Sequence, residues 1–271
     1  MRAGRKPDIR TLLLLLTMWG VWLGNFALYR SDPMPLALHV LVSAVAIHLA
    51  FTIWHEAVHR NVFRSVAAND LVGVLGMLPY MTPYFMQKWI HLQHHARLNE
   101  PDDPNLMYAN GPLWSLPLRY PRALGYAKKL LEKDPREGWQ RACDVATVVA
   151  VLAVFGLAAW FGAFWSVFWL WAVPLAIAKL VMDWYINYLP HVGLPPHRWK
   201  GTRVLDVDWL TPLVLVHNYH AIHHLWPTIP WHAYRKVFRE KRAELEGHDV
   251  PIETRVVGRR WPAGGGTELV A

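Results

Sequence analysis

The chain has 271 residues; 54% are apolar, only 18% are charged, and it carries 16 Trp, 15 His and one Cys. The many aromatic residues exclude a disordered chain, and the single cysteine excludes an internal disulfide framework and a cysteine-ligated iron–sulfur or zinc-ribbon site. The formal net charge of +8 accompanies an apolar excess, which favours a membrane surface over nucleic acid as the partner.

Four apolar runs are predicted to cross a membrane, because a span needs about 20 predominantly apolar residues. The first run follows four basic residues but lacks a small-residue cleavage site, so we interpret it as an uncleaved helix rather than a signal peptide. The uncharged stretch 145–178 is too long for one span and is divided by a turn at 162–166. The predicted spans are 11–29, 36–54, 145–164 and 167–188, and they form two hairpins.

The distribution of basic residues predicts the orientation of these spans. Of the 28 Lys and Arg, four precede the first span, eleven lie between the second and third, and eleven follow the fourth. By the positive-inside rule both termini and the middle segment are cytoplasmic, as expected for a multi-pass protein of a bacterial-type inner membrane. A further apolar segment at 71–86 is interrupted by Pro79 and Pro83, so it is predicted to be interfacial or re-entrant.

The predicted fold class is an all-α integral membrane protein, with four transmembrane helices in two hairpins and a cytoplasmic helical cap. A single domain is expected over residues 1–271, ending in a flexible tail at 261–271. The cap carries histidines in three clusters. The sequences HEAVH, HLQHH and HAIHH contain His55, His59, His91, His94, His95, His220, His223 and His224.

The spacing of these histidines predicts metal ligands. Within each cluster the histidines lie three or four residues apart, so on a helix their imidazoles share one face. His191, just after the fourth span, brings the set to nine, which is more than one ion can use and implies two metals. Imidazole suits iron, zinc, copper or nickel. Asp102 or Asp103 is expected to accept the second ring N–H of a ligating histidine, the alternative being a solvated loop.

Other polar residues are interpreted as structural. Lys179 and Asp183 lie four residues apart in the fourth span and are predicted to form a local ion pair. The histidines outside the clusters have no partner at ligand spacing; they are His39, His48, His197, His217, His232 and His248.

Two other metal enzymes use similar patterns. HEAVH matches the zinc metalloprotease signature, in which Glu56 is the general base. That enzyme class needs only one further ligand and leaves the other histidines unused. Soluble di-iron bundles use two Glu-x-x-His motifs with additional glutamates, whereas this chain has one such motif, from Glu56 to His59.

The three histidine clusters, in this order across two predicted hairpins, resemble the membrane fatty acid desaturase/hydroxylase superfamily. The segments HLQHHARLNEPDDPN and HNYHAIHHLWPTIPW are most similar to its β-carotene hydroxylase branch, and carotenoid ketolases are the nearest alternative. One departure is NYLPHVGLP, which lacks an arginine expected soon after the histidine.

The resemblance implies two iron ions held by the nine histidines, with Asn187 holding a metal-bound water one turn before His191. It also implies an O2-dependent oxygenase that hydroxylates a carotenoid ring, or alternatively a fatty acyl desaturase or hydroxylase. No catalytic residue is expected beyond the metal centre. The chain has no G-x-G-x-x-G segment and no cysteine cluster, so electrons are expected from a ferredoxin-type donor with its own reductase. The other expected partners are membrane lipids and a lipid-soluble substrate.

Overall fold

The computed structural model describes residues 6–31, 33–120, 125 and 135–256. The regular secondary structure of this part is helical apart from one pair of two-residue strands. Its helices are α1 Ile9–Leu28, α2 Leu36–Val58, α3 Val66–Met77, α4 Tyr84–Ala96, α5 Leu106–Ala109, α6 Gly138–Trp160, α7 Phe164–Tyr188, α8 Leu210–Leu213, α9 His220–Leu225, α10 Tyr234–Glu240 and α11 Arg242–Gly247. The strands β1 Val204–Leu205 and β2 Ile252–Glu253 are parallel. The predicted flexible tail 261–271 lies outside the described residues.

Four of these helices, α1, α2, α6 and α7, are long and apolar enough to cross a membrane, so the predicted number of spans is confirmed. Their ends differ from the predicted ones. Helix α6 begins at Gly138 because Glu137 and Gln140 form a reciprocal capping box there. It ends at Trp160, and the following turn uses Gly162 at φ +70°. Helix α2 continues to Val58, so the HEAVH cluster forms its last turn.

The segment predicted to be interfacial or re-entrant forms parts of two helices. Helix α3 runs into a short 3₁₀ turn, Leu78–Tyr80, and the chain then reverses at Met81, whose φ is +51°. Helix α4 begins directly after Pro83, a residue that cannot donate a backbone hydrogen bond. The two prolines therefore separate α3 from α4, and the position of this segment relative to a membrane stays a prediction.

The described chain divides into two compact units. Unit 1 comprises Met1–Trp89 and Pro135–Val181, and unit 2 comprises Ile90–Asp134 and Met182–Ala271. In unit 1 the indole of Trp22 donates to Leu170 O at 3.2 Å and the indole of Trp171 donates to Pro79 O at 2.8 Å. Asn25 of α1 donates to His39 O and Ser43 Oγ of α2. These bonds satisfy polar groups among otherwise apolar helices.

Unit 2 has an apolar core of its own beside the histidine-rich helix α9. Its buried members come from β1, α9, α10, α11 and the turns between them; they are Val204, Tyr219, Ala221, Ile222, Leu225, Tyr234, Phe238, Leu245 and Val250. Because Ala221, Ile222 and Leu225 occupy one side of α9, the histidines of the same helix are directed to another side. The core therefore fixes the rotation of α9.

Helix α7 contains two π-helical segments, Phe168–Ala172 in unit 1 and Asp183–Tyr188 in unit 2. A π-helical turn accommodates one extra residue and often occurs at functional sites. The second segment carries Asn187 and leads directly into the turn that carries His191.

Candidate metal centre

Seven of the nine histidines predicted as ligands lie in unit 2, on three separate segments. His91, His94 and His95 lie on α4, His191 lies in the turn after α7, and α9 supplies His220, His223 and His224. Five of the seven are buried, and His95 and His224 are half-buried. Burying this many imidazoles in one compact unit is unfavourable unless their nitrogens find partners.

Four of these imidazoles converge on one point. His94, His191, His220 and His224 each offer a ring nitrogen, and all four nitrogens lie within 4.8 Å of one another. The Nε2 atoms of His220 and His224 are 3.0 Å apart. Two imidazole nitrogens bound to one ion at about 2.1 Å lie roughly 3.0–3.4 Å apart. The separation therefore matches two ligands of a single metal ion.

A second group of imidazoles in unit 2 comprises His95, His223 and His224. The Nε2 atoms of His95 and His223 are 2.8 Å apart, and those of His95 and His91 are 3.1 Å apart. The ring of His91 also stacks on that of His223 with centroids 5.8 Å apart. Unit 2 thus brings together all seven of its predicted ligands.

The donor set fits a metal ion. Both ring nitrogens of His191 and Nδ1 of His220 are buried and have no hydrogen-bond partner among the described residues. Burial lowers the pKa of His191, His220 and His224 well below the ordinary histidine value, and neighbouring imidazoles lower it further. These imidazoles are therefore neutral at pH 7, which is the form that binds metals.

Two of the imidazoles have an outer hydrogen-bond partner. The carboxylate of Asp103 lies 2.9 and 3.0 Å from Nδ1 of His94 and is fully buried. Its neighbour Asp102 is more than half exposed and pairs with Arg97 at 2.8 Å. The hydroxyl of Tyr234 hydrogen-bonds Nδ1 of His223 at 3.1 Å. Such partners fix the orientation of a ligating ring.

A polar network surrounds Asn187. Its amide nitrogen donates to Asp183 Oδ1 at 2.7 Å, and its amide oxygen accepts from Asn105 Nδ2 at 3.1 Å. Tyr120 donates its hydroxyl to the other oxygen of Asp183 at 2.8 Å. Asn105 also donates its backbone N–H to Asp103, at 2.8 Å. The contacts therefore lead continuously from Tyr120 to the carboxylate that holds His94.

This network gives Asp183 contacts that the sequence did not suggest. The predicted ion pair with Lys179 stays a prediction, whereas the bonds from Tyr120 and Asn187 are direct structural contacts. Tyr120, Asn105 and Tyr234 are functional candidates missed from the sequence. Only Asn105 could have been suspected from the sequence, because it follows the second histidine cluster and the acidic pair.

The remaining two predicted ligands belong to unit 1. His55 lies in the last turn of α2 and His59 caps its C-terminus, and their ring centroids are 5.0 Å apart. Both are buried, and burial lowers the pKa of His59 to about 3. Glu56, the base of the protease alternative, is fully buried on the same turn.

Most basic residues of the surface around α10 and α11 are paired with carboxylates. Arg235 pairs with Asp208, Lys236 with Glu240, Lys241 with Glu244 and Arg242 with Glu246. Exposed pairs contribute little stability, but they cancel much of the local positive charge. The net positive charge of this surface is therefore smaller than its basic residues alone suggest, and its attraction for an acidic protein or anionic lipid is correspondingly weaker.

Comparison with known proteins identifies a matching family and several relatives. The Fatty acid desaturase family matches residues 31–256. A beta-carotene ketolase of Paracoccus sp. (strain N81106 / MBIC 01143) is 26% identical over 189 residues, covering 67% of this chain and 70% of its own length. A second beta-carotene ketolase, of Paracoccus sp. (strain PC1), is 24% identical, covering 84% of this chain and 94% of its own. A fatty acid desaturase of Bacillus subtilis (strain 168) is 23% identical, covering 82% and 72%.

Proposed function

The chain belongs to the fatty acid desaturase family, and we propose that it is an O2-dependent di-iron oxygenase that hydroxylates a carotenoid ring. It is an oxidoreductase, its four apolar helices indicate a membrane protein, and its family uses iron. The observation that carries the proposal is the convergence of four imidazoles in unit 2, three of them buried and one half-buried, with both ring nitrogens of His191 lacking a hydrogen-bond partner among the described residues.

The proposed ligands are the nine histidines of the sequence pattern. One iron is assigned to His94, His191, His220 and His224, whose nitrogens lie within 4.8 Å. The assignment of the others, including His55 and His59, rests on the spacing of the three clusters. Asn187 is proposed to hold a metal-bound water, because its amide oxygen retains one lone pair beyond the bond from Asn105.

The residues around the centre have definable tasks. Iron held there would supply the O2 activation and C–H oxidation that no side chain can perform. Asp103 and Tyr234 orient His94 and His223, and the burial of the imidazoles keeps the site dry and its ligands unprotonated. Two electrons per turnover are proposed to come from a ferredoxin with its reductase.

The carotenoid substrate is supported by the sequence around the second and last histidine clusters and by the two relatives named beta-carotene ketolases. The same relatives favour ring ketolation as a second candidate, and the Bacillus relative named a fatty acid desaturase favours acyl desaturation. All three reactions begin by removing a hydrogen atom from a C–H bond of the substrate, so the ligand set alone does not separate them.

Product analysis tests this proposal. The full chain is expressed with a working ferredoxin and reductase in cells that accumulate β-carotene, and pigments and lipids are separated by chromatography and identified by mass spectrometry. A hydroxylated carotenoid is expected. A keto product would instead establish the ketolase reaction, and new double bonds in membrane lipids without a carotenoid product would establish acyl desaturation.

The protease alternative is tested by metal analysis and by Glu56→Gln. About two irons per chain are expected, whereas one zinc and no iron would refute the di-iron proposal. An oxygenase should retain product formation in Glu56→Gln as long as its metals remain bound, but a zinc protease would lose nearly all activity with its base.

Both termini are proposed to be cytoplasmic in the bacterial inner membrane. Four, eleven and eleven basic residues lie on the side assigned to the cytoplasm, against Arg30 alone in the two opposite turns. Reporter fusions at Ala271 should be active in the cytoplasm, and activity confined to the periplasm would refute this orientation.

A further inference from the structure

Arg203 is a buried cation that contacts the turn carrying His191. It lies just before β1 in unit 2 and is only 3% exposed. Its Nη1 donates to Leu189 O at 3.0 Å and its Nη2 to Val192 O at 2.5 Å. Its backbone N–H donates to Pro190 O at 3.1 Å. One residue thus binds three carbonyls that lie around His191.

The same residue also contacts the helix that carries the last histidine cluster. The backbone carbonyl of Arg203 accepts the N–H of Ala221, next to His220, at 3.3 Å. The chain at Arg203 is itself anchored, because the following residue, Val204, bonds Pro251 O at 2.9 Å and pairs with Ile252 across the two strands. Arg203 therefore joins two of the segments that supply the four-histidine group.

His191 differs from His94 and His223 in what fixes its ring. His94 is held by Asp103 and His223 by Tyr234, whereas neither ring nitrogen of His191 has a hydrogen-bond partner in the described part of the chain. Its position must come from the shape of its own turn. A planar guanidinium fork that binds two carbonyls of that turn restricts this shape more than a flexible ammonium group does.

We propose that Arg203 is a positioning residue that holds His191 at the four-histidine site. Burying a guanidinium is costly unless its donors are used, and the two donors described above are used on carbonyls flanking this one histidine. The inference rests on the proposed function for the identity of the metal, but its structural basis is the set of contacts between Arg203 and the turn.

The test compares two buried arginines. Arg203→Lys and Arg203→Gln are measured beside Arg119→Lys, because Arg119 is 4% exposed and also donates to carbonyls, those of Tyr108 and Pro112. Full-length proteins are purified in detergent, and iron per chain and the Mössbauer spectrum are recorded. His191→Ala serves as the comparator for loss of this ligand.

Both Arg203 variants should hold the iron of the four-histidine site about ten-fold less tightly against a chelator, so that about half of the bound iron is removed first. They should show the same altered spectrum as His191→Ala. Arg119→Lys should keep the wild-type iron content and spectrum, even where its unfolding temperature falls.

Several results would overturn the inference. An Arg203→Lys protein with wild-type iron and spectrum would refute the positioning role and leave the proposed function intact. Equal iron loss in Arg119→Lys, or failure of both Arg203 variants to accumulate, would show a general folding role instead. Wild-type protein that binds no iron would refute the proposed function, and this inference with it.

Discussion

The two compact units differ in which side chains they expose and which they bury. Among the described residues, 31 large apolar side chains are exposed, and 25 of them belong to unit 1. Unit 2 exposes the other six. It instead gathers seven buried or half-buried histidines around a common centre, with acidic and amide side chains beside them. Unit 1 therefore has the surface expected of a protein in lipid, whereas unit 2 has the interior expected of a metal site.

A buried histidine of unit 1 that is not a proposed ligand, His39, also differs from the seven histidines of unit 2. In unit 1, His39 is hydrogen-bonded to Asn25 at 2.7 Å and belongs to no described cluster of metal-binding groups. In unit 2, each of the seven histidines has other imidazoles as neighbours, and several nitrogens have no hydrogen-bond partner. Neither burial nor one unsatisfied nitrogen, such as Nε2 of His39, marks a ligand, whereas convergence of several imidazoles on one point does.

Removal of a shared ligand should have the largest effect. His223 lies 2.8 Å from His95 and beside His224, so His223→Ala is expected to lower product formation by at least about 100-fold and to reduce bound iron. The control is His197→Ala, which alters an exposed histidine that caps a turn. Normal product formation by His223→Ala would contradict the metal assignment.

A charge placed on the exposed surface of each unit should affect membrane insertion differently. Leu152 in α6 is 66% exposed and Leu118 in unit 2 is 68% exposed. An arginine near the centre of a span costs about 2.5 kcal/mol or more, so Leu152→Arg should reduce the carbonate-resistant membrane fraction several-fold. Leu118→Arg should have little effect. An equal carbonate-resistant membrane fraction for both variants would argue against lipid around α6.

The adjacent aspartates provide a matched pair of variants. Asp103→Asn removes the carboxylate that orients His94 and should weaken iron retention about 10-fold or more, as measured by competition with a chelator. Asp102→Asn changes the exposed partner of Arg97 and should leave iron retention unchanged. Weaker iron retention in Asp102→Asn, with no change in Asp103→Asn, would contradict the role of Asp103 in orienting His94.

The stability of unit 2 should depend on pH. The folded pKa values of His191, His220 and His224 are lowered, so below about pH 6.5 the unfolded chain binds protons that the folded cluster does not. Stability should therefore be constant above that pH and fall as the pH decreases below it. Thermal unfolding of the chelator-treated protein between pH 8 and 5 measures this, and His220→Ala should flatten the profile. An unfolding temperature that does not change across this range would contradict neutral, buried imidazoles.

Much of the architecture followed from the sequence because its signals are local. The number of spans could be read from uncharged runs, and the shared face of each histidine cluster from the helical repeat. The helix ends were less predictable. The sequence did not suggest that α6 starts at the capping box of Glu137, or that α7 contains π-helical turns.

The membrane helices and the candidate ligands could therefore be predicted without a structure, since both depend on the order of neighbouring residues. Packing of the folded chain determines that Asp103 rather than Asp102 reaches His94, and that Arg203 binds the turn of His191. It also determines that Asn187 meets Asn105, 82 residues away, and that Asp183 meets Tyr120, 63 residues away. Contacts between residues so far apart in the chain depend on how helices pack and on the extra residue in a π-helical turn. Neither feature can be predicted from a local sequence pattern.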